Sequence, residues 1–454
     1  MPDTLISNTS VEVVPGGAVQ GTIRPPGSKS LTNRALLCAA FAKGHSRLTG
    51  ALRSDDTEVM VAALRKIGVG VIESGTGCVI DITGLSRDHD GSPSGHFELF
   101  IGNSGTTIRF LTAALSALGG DFRLCGVPRM HQRPIGDLVD ALGPVCDGSV
   151  TCESPGGCPP VRIATRGWAG QSMKVAGSVS SQYLSGLMMA APIAGQAIRI
   201  EVVGELVSLP YVEMTAQIIR DFGVPCSWAS ASALSQVHDQ AERVILIDGR
   251  GGYLPRDYDI EPDASAASYF WAAAAITGGV VTVSGLSADA LQGDVRFVDC
   301  LEKMGCQVRR AADGITVTGP ERLRGIDVDM NSISDTVQTL SVVALFADGP
   351  TVIRGVAHNR FKETDRIGDL ACELRKLGAE IEETDDGLAI HPRPLRPAIL
   401  ETYEDHRMAM SLALVGLRTA GVRIKNPACT AKTYPNFFAD LEGLLGRSHR
   451  WHQR

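Results

Sequence analysis

Cations, hydroxyls and carboxylates recur just ahead of apolar helices in this 454-residue chain. The sharpest case is PPGSKSLTNRALLCAA, residues 25–40, where Lys29 and Arg34 stand at a helix start. The exposed N–H groups and positive dipole end of a helix disfavour cations there unless an anion is held. Ser28 and Ser30 read as helix caps, but capping leaves the two cations unexplained. Comparable openings contribute Asn103, Gly105 and Arg109, then Ser180, Ser181 and Gln182, then Asp335, then His406 and Arg407. A second set contributes Arg129, Arg133, Ser208, Tyr211, Lys362, Glu363, Arg366 and Lys432. Together they describe a site for more than one anionic group, with Asp335 and Glu363 as the carboxylates able to move protons.

Each residue has a plainer reading. Ser180 and Ser181 suffice as caps, and Lys362 and Arg366 are spaced i, i+4 as on a solvated helix face. His406 fits a hydrogen-bonded structural imidazole, and GNSGTT is weaker than the G-x-x-x-x-G-K-[ST] phosphate loop, which is absent. Recurrence outweighs these readings, because the unusual polar groups fall at one phase of a repeat. Six openings begin at Gly27, Gly102, Gly177, Glu261, Met330 and Tyr403, spaced 75, 75, 84, 69 and 73 residues apart. Each leads into an Ala/Leu-rich helix. A second, amphipathic helix follows and stops at a glycine, as in ALRKIG, IIRDFG, CLEKMG and ELRKLG. CQVRRAADGITVTG and AEIEETDDGLAIHP read as hairpins with Asp-Gly at the turn.

The unit is therefore strand, helix, strand, helix and two strands, and the class is α/β. Two similar domains of three βαβαββ units are expected, with the apolar first helices buried and their polar openings on one face. The first three repeats occupy 28–257 and the last three 258–454. A hinge falls near 250–262, in GRGGYLPRDYDIEP.

Bulk composition excludes other classes. A net charge of −7 argues against nucleic-acid binding through overall basicity. No apolar run reaches the roughly 18 residues of a membrane helix, and no secretory signal pattern opens the chain. The eleven cysteines show no C-x-x-C pair and no zinc spacing, which fits reduced thiols in the cytoplasm.

The series PGSKSLTNRALLCAA, GNSGTTIRF, RPIGDL, SVSSQYLSGL, DASAASYF, KETDR, EDHRMAM and CTAKTYP resembles the 5-enolpyruvylshikimate-3-phosphate synthase family, in order, over about residues 11–446. The resemblance implies the enolpyruvyl transferase fold, an inside-out α/β barrel in each domain, with residues 1–27 joining 258–454 in a discontinuous second domain and a second hinge near 25–28. It implies transfer of the enolpyruvyl group of phosphoenolpyruvate to the 5-hydroxyl of shikimate 3-phosphate, in aromatic amino acid biosynthesis. No metal, organic cofactor, nucleic acid or membrane takes part, and a monomer is expected.

It places Ser30, Arg34, Ser180, Ser181, Gln182, Ser208, Tyr211, Asp335, His358 and Lys362 on shikimate 3-phosphate. Lys29, Asn103, Gly105, Arg133, Gln182, Arg366, Arg407 and Lys432 fall on phosphoenolpyruvate, and Lys29, Asp335 and Glu363 carry proton transfers. Glyphosate, with a carboxylate and a phosphonate, is expected to compete with phosphoenolpyruvate where Gly105 leaves room. Two positions depart from the family pattern: His358 stands where many members have asparagine, with Asn359 next to it, and Phe110 replaces a common proline.

UDP-N-acetylglucosamine enolpyruvyl transferase is the alternative within the fold. It typically has Lys-Asn where this chain has Lys29-Ser30, and a cysteine that GVPRMHQRP lacks. A non-catalytic anion-binding repeat protein is the alternative of another class. The openings hold almost no aromatic residue for base stacking apart from Tyr211.

Overall fold

The computed structural model describes residues 9–85, 95–177, 180–204, 206–230 and 241–453. Ser178 and Val179 of the third opening lie outside the described residues. The chain divides into two compact units, one from Gly27 to Ile260, the other comprising the chain up to Pro26 and from Glu261 onward.

Each repeat builds one four-stranded sheet. In repeat one, α1 (Lys29–Ala40) and α2 (Asp55–Lys66) accompany strands His45–Thr49, Gly70–Ser74 and Val79–Thr83. Its remaining strand, Asp257–Asp259, comes from the far end of the unit and runs parallel to His45–Thr49. Repeat two sets α3 (Gly105–Leu118) and α4 (Gly136–Leu142) against strands between His96 and Trp168; repeat three sets α5 (Ser181–Ala194) and α6 (Leu209–Asp221) against strands between Ser172 and Asp248. Repeat four carries α7 (Ala264–Thr277) and α8 (Phe297–Lys303), and its first strand is Gln20–Ile23, parallel to Val280–Ser284. Repeat five carries α9 (Val337–Ala344) and α10 (Gly368–Lys376), and repeat six α11 (His406–Ala413) and α12 (Phe437–Leu445). Repeat six closes its sheet with Thr9–Glu12, paired antiparallel to both Arg423–Lys425 and Arg450–Gln453. In each four-stranded sheet one pair of neighbouring strands is parallel and the other two pairs are antiparallel.

The first helices form the cores. Every residue of α3, α9 and α11 is buried, as is every residue of α1 except Ser30. Such helices bury apolar surface all round, at about 25 cal/mol per Å². Close approach is built in: a Cβ on Gly186 of α5 would stand 3.0 Å from the Arg109 carbonyl of α3. Hydroxyls stitch the second core, where Ser268, Thr339 and Ser411 form a chain across α7, α9 and α11 with steps of 3.0 and 3.3 Å.

The hairpins differ from the sequence expectation. Ala311 pairs with Gly314 and Thr384 with Gly387, so the central turn residues are Ala312-Asp313 and Asp385-Asp386. The glycines open the return strands instead. A Cβ on Gly387 would meet the Ile353 carbonyl at 1.9 Å, and one on Gly314 would meet the Val283 carbonyl at 2.7 Å. These positions need glycine because the neighbouring strand passes close by, not because the turn requires positive φ.

Candidate active site

In the Gly27–Ile260 unit, Ser28 caps α1 by accepting from the Leu31 N–H, so Lys29 is delivered at the first turn. Lys29 Nζ lies 3.4 Å from Asp56 Oδ2, and both side chains are buried. Asp56 sits in the acidic first turn of α2, which Ser54 and Thr57 cap reciprocally.

Arg34 is the most heavily engaged cation. Nε donates to Thr215 Oγ1 at 2.7 Å and Nη1 to the Ser30 carbonyl at 2.9 Å. Nη2 donates to Ser185 Oγ at 3.3 Å and to the Tyr211 carbonyl at 3.4 Å. Its guanidinium also lies 5.1 Å from the centre of the Phe110 ring. One side chain thus joins α1, α3, α5 and α6, and burial pulls it down to about 10. The Phe110 departure therefore supplies an aromatic face for Arg34.

Around α3, Arg133 Nη1 donates to the Asn103 carbonyl at 3.0 Å and lies 3.4 Å from Asn103 Oδ1. Arg109 donates to the carbonyls of Gly105 at 3.0 Å and Pro134 at 3.1 Å. Its guanidinium lies 5.4 Å from the centre of the Tyr183 ring, so Arg109 braces the loop that carries Arg133. Arg129 bonds Gln132. Ser180 caps α5 by accepting from the Gln182 N–H at 3.3 Å, while Ser181 is buried and Gln182 half-buried. Ser208, buried at the start of α6, has φ 56°, a conformation costly for any residue with a Cβ. Tyr211 follows it, half-buried.

The other unit holds a denser cluster. Asp335 accepts from Arg407 Nη2 at 2.8 Å and Arg366 Nη1 at 3.2 Å, with Lys362 Nζ at 3.9 Å. Arg407 Nη2 also reaches Ser265 Oγ at 3.4 Å. The openings of all three repeats in this unit therefore meet at one guanidinium. Glu363 lies 2.8 Å from Arg366 Nη2 and accepts from Lys432 Nζ at 2.9 Å. Asp405 is wholly buried and grips Arg366 at Nε, 2.7 Å, and Nη2, 3.2 Å, while Oδ1 caps α11 through the Arg407 N–H at 2.8 Å. Burial opposes the charge on Arg366, but Asp405, Glu363 and Asp335 outweigh it and push its affinity for the proton up. Burial pulls Lys362 down, reinforced by Arg366 and Arg407 and opposed by Asp335 and Glu363.

Asn359 is wholly buried and donates to the Ser334 carbonyl at 2.9 Å, which makes it a brace of the loop. His358 faces Lys362 and Asp335; burial and the Lys362 ammonium pull its imidazole down to about 4. His406 is buried with Nδ1 3.6 Å from Asp405. Among the described residues no group of three or more His, Cys, Asp or Glu could hold a metal ion, and no helix is long and apolar enough to cross a membrane. All eleven cysteines are free thiols. Sequence reasoning missed Asp56, Asp405, Ser185, Thr215 and Ser265. Only Asp405 had a signal, as the acidic cap immediately before His406-Arg407.

The EPSP synthase (3-phosphoshikimate 1-carboxyvinyltransferase) family model matches residues 13–441. The chain belongs to the EPSP synthase family. The 3-phosphoshikimate 1-carboxyvinyltransferase of Trichormus variabilis is 44% identical over 94% of this chain and 97% of its own length. The chloroplastic enzyme of Brassica napus is 45% identical over 94% of this chain and 83% of its own. Among solved structures, an EPSP synthase from Acinetobacter baumannii superposes with a TM-score of 0.78 at 26% identity, over 98% of this chain and all of that one. An enolpyruvyl transferase from Streptomyces tendae shares the fold with a TM-score of 0.73 at 20% identity, over 98% of this chain and 99% of that one. The six-repeat architecture is thus that of the EPSP synthase family.

Proposed function

We propose that residues of both clusters take part in holding each substrate of EPSP synthase, as follows. The reaction moves the enolpyruvyl group of phosphoenolpyruvate onto the 5-hydroxyl of shikimate 3-phosphate and releases phosphate. Lys29, Asn103, Gly105, Arg133, Gln182, Arg366, Arg407 and Lys432 hold the donor, whose carboxylate and phosphate both need cations to leave water. Ser30, Arg34, Ser180, Ser181, Gln182, Ser208, Tyr211, His358 and Lys362 hold shikimate 3-phosphate.

Asp335 accepts the proton of the 5-hydroxyl as that oxygen bonds to C2 of the donor, and Glu363 or Lys29 delivers a proton to C3. One proton of the resulting C3 methyl group is then removed, the C2–O bond to phosphate breaks, and the double bond returns in the product. The carrying observation is Asp335 set 2.8 Å from Arg407 and 3.2 Å from Arg366, a carboxylate among the cations assigned to the donor. Its cations orient and shield the base, and they stabilise negative charge developing on the donor. The eleven free thiols fit a reducing compartment, so we place the enzyme in the cytoplasm. The test is phosphate release from phosphoenolpyruvate. It should require shikimate 3-phosphate and fail with UDP-N-acetylglucosamine; release with the latter, or without an acceptor, rejects the reading.

A further inference from the structure

Glu373 lies in α10 with its carboxylate wholly buried, and no step of the reaction uses it. Oε1 accepts from the Tyr403 hydroxyl at 2.6 Å and Oε2 from the Glu401 backbone N–H at 3.0 Å. Lys376 Nζ lies 2.7 and 2.8 Å from the two oxygens and compensates the charge. Burying a carboxylate is costly even when it is paired, so the bonds it makes matter. Two of them reach out of its own helix to the segment 401–403.

That segment is strained. The Thr402 carbonyl accepts from the Asp405 N–H at 2.8 Å, closing a four-residue turn. Both central residues, Tyr403 and Glu404, have positive φ, 53° and 56°. Turns of this form are ordinarily built from glycine and asparagine, because a side chain there crowds the backbone. A tyrosine and a glutamate hold the conformation only where neighbours fix it.

The turn presents Asp405. Its carboxylate takes Arg366 in a fork, at 2.7 and 3.2 Å, and caps the helix that carries Arg407. A small rotation of the turn would swing both guanidiniums together. We infer that Glu373 and Tyr403 are positioning residues for phosphoenolpyruvate: the buried carboxylate holds the strained turn, and the turn aims Asp405 at Arg366 and Arg407. This rests on the assignment of those two arginines to the donor.

The test compares steady-state constants for Tyr403→Phe, Glu373→Gln, Tyr403→Phe with Glu404→Gly, and Arg366→Lys. In Glu373→Gln, the amide oxygen can keep the Glu401 N–H only if its NH₂ faces the Tyr403 hydroxyl, which must then accept rather than donate, and the charge that strengthens both bonds and pairs with Lys376 is gone. Both single changes should raise KM for phosphoenolpyruvate about tenfold, with KM for shikimate 3-phosphate within about twofold. Adding Glu404→Gly should restore most of the loss in Tyr403→Phe, since glycine takes positive φ without crowding. Equal rises in both KM values, or no rescue, would show a merely structural role and overturn the inference. An unchanged donor KM in both single variants, beside a raised one in Arg366→Lys, overturns the inference alone. An unchanged donor KM in Arg366→Lys overturns the assignment beneath it.

Discussion

Gly105 and Arg133 compete for one space: a Cβ on Gly105 would stand 2.5 Å from Arg133 Nη2 and 2.9 Å from its Cζ. Arg109 Nη1 is equally close, at 2.6 Å. Both arginines are tied to carbonyls, so neither can withdraw without losing a hydrogen bond.

Gly105→Ala should therefore displace Arg133 and raise KM for phosphoenolpyruvate about tenfold, the result of moving a charge-assisted contact off its best geometry. Glyphosate, longer than the donor, should lose more affinity than phosphoenolpyruvate does. Inhibition curves at several donor concentrations measure both. Wild-type inhibition in a well-folded alanine variant would refute the steric argument.

Asp335→Asn should cut kcat by about 10²-fold or more, the usual reach of a positioned base. KM for phosphoenolpyruvate should not rise, because removing a negative charge beside Arg366, Arg407 and Lys362 leaves those cations readier for an anion. Rapid-quench turnover and calorimetric titration of the donor separate the two effects. Near-normal kcat would remove Asp335 from proton transfer.

Arg34→Lys should lower stability by about 2–4 kcal/mol, since lysine cannot reproduce the planar fork and leaves buried acceptors unmet. Urea unfolding reads this as an earlier midpoint at unchanged slope. A loss under about 0.5 kcal/mol, the range of ordinary surface substitutions, would deny Arg34 its place as the tie between four helices.

His358 should stay neutral down to about pH 4, and its imidazole proton resonances should titrate near that value. The unfolded chain titrates near 6.5. The unfolded state thus binds the extra proton first, so the contribution of His358 to stability is full above about pH 6.5 and falls as pH drops toward 4. The stability gap between wild type and His358→Gln should therefore shrink from pH 7.5 to pH 5. A resonance midpoint between 6 and 7 would contradict this.

The repeat was legible because helix and strand periods, glycine stops and polar openings all recur at one phase. Buried first helices followed directly from their all-round apolar faces. The hairpin glycines were misread, because local sequence records that a glycine is present but not whether a turn or a neighbouring strand demands it. The cations of the site were visible for a similar local reason: charge on an apolar helix is conspicuous. Asp335 and Glu363 were visible beside them, but the other buried carboxylates were not. Asp56 looks like an ordinary acidic first turn and Glu373 like one member of an i, i+3 pair with Lys376; only tertiary packing reveals what each one holds.

The strand exchange between the two ends of the chain has a consequence for synthesis. The Gly27–Ile260 unit has all its strands once Asp257–Asp259 has left the ribosome. Gln20–Ile23 must wait for Val280–Ser284, and Thr9–Glu12 for Arg450–Gln453. At typical elongation rates of about 5–20 residues per second, the stretch from 260 to 450 takes roughly 10–40 s. For that time Thr9–Glu12 is made but without its full set of partners, and a chaperone that shields it would act on the very residues that later close the sixth sheet.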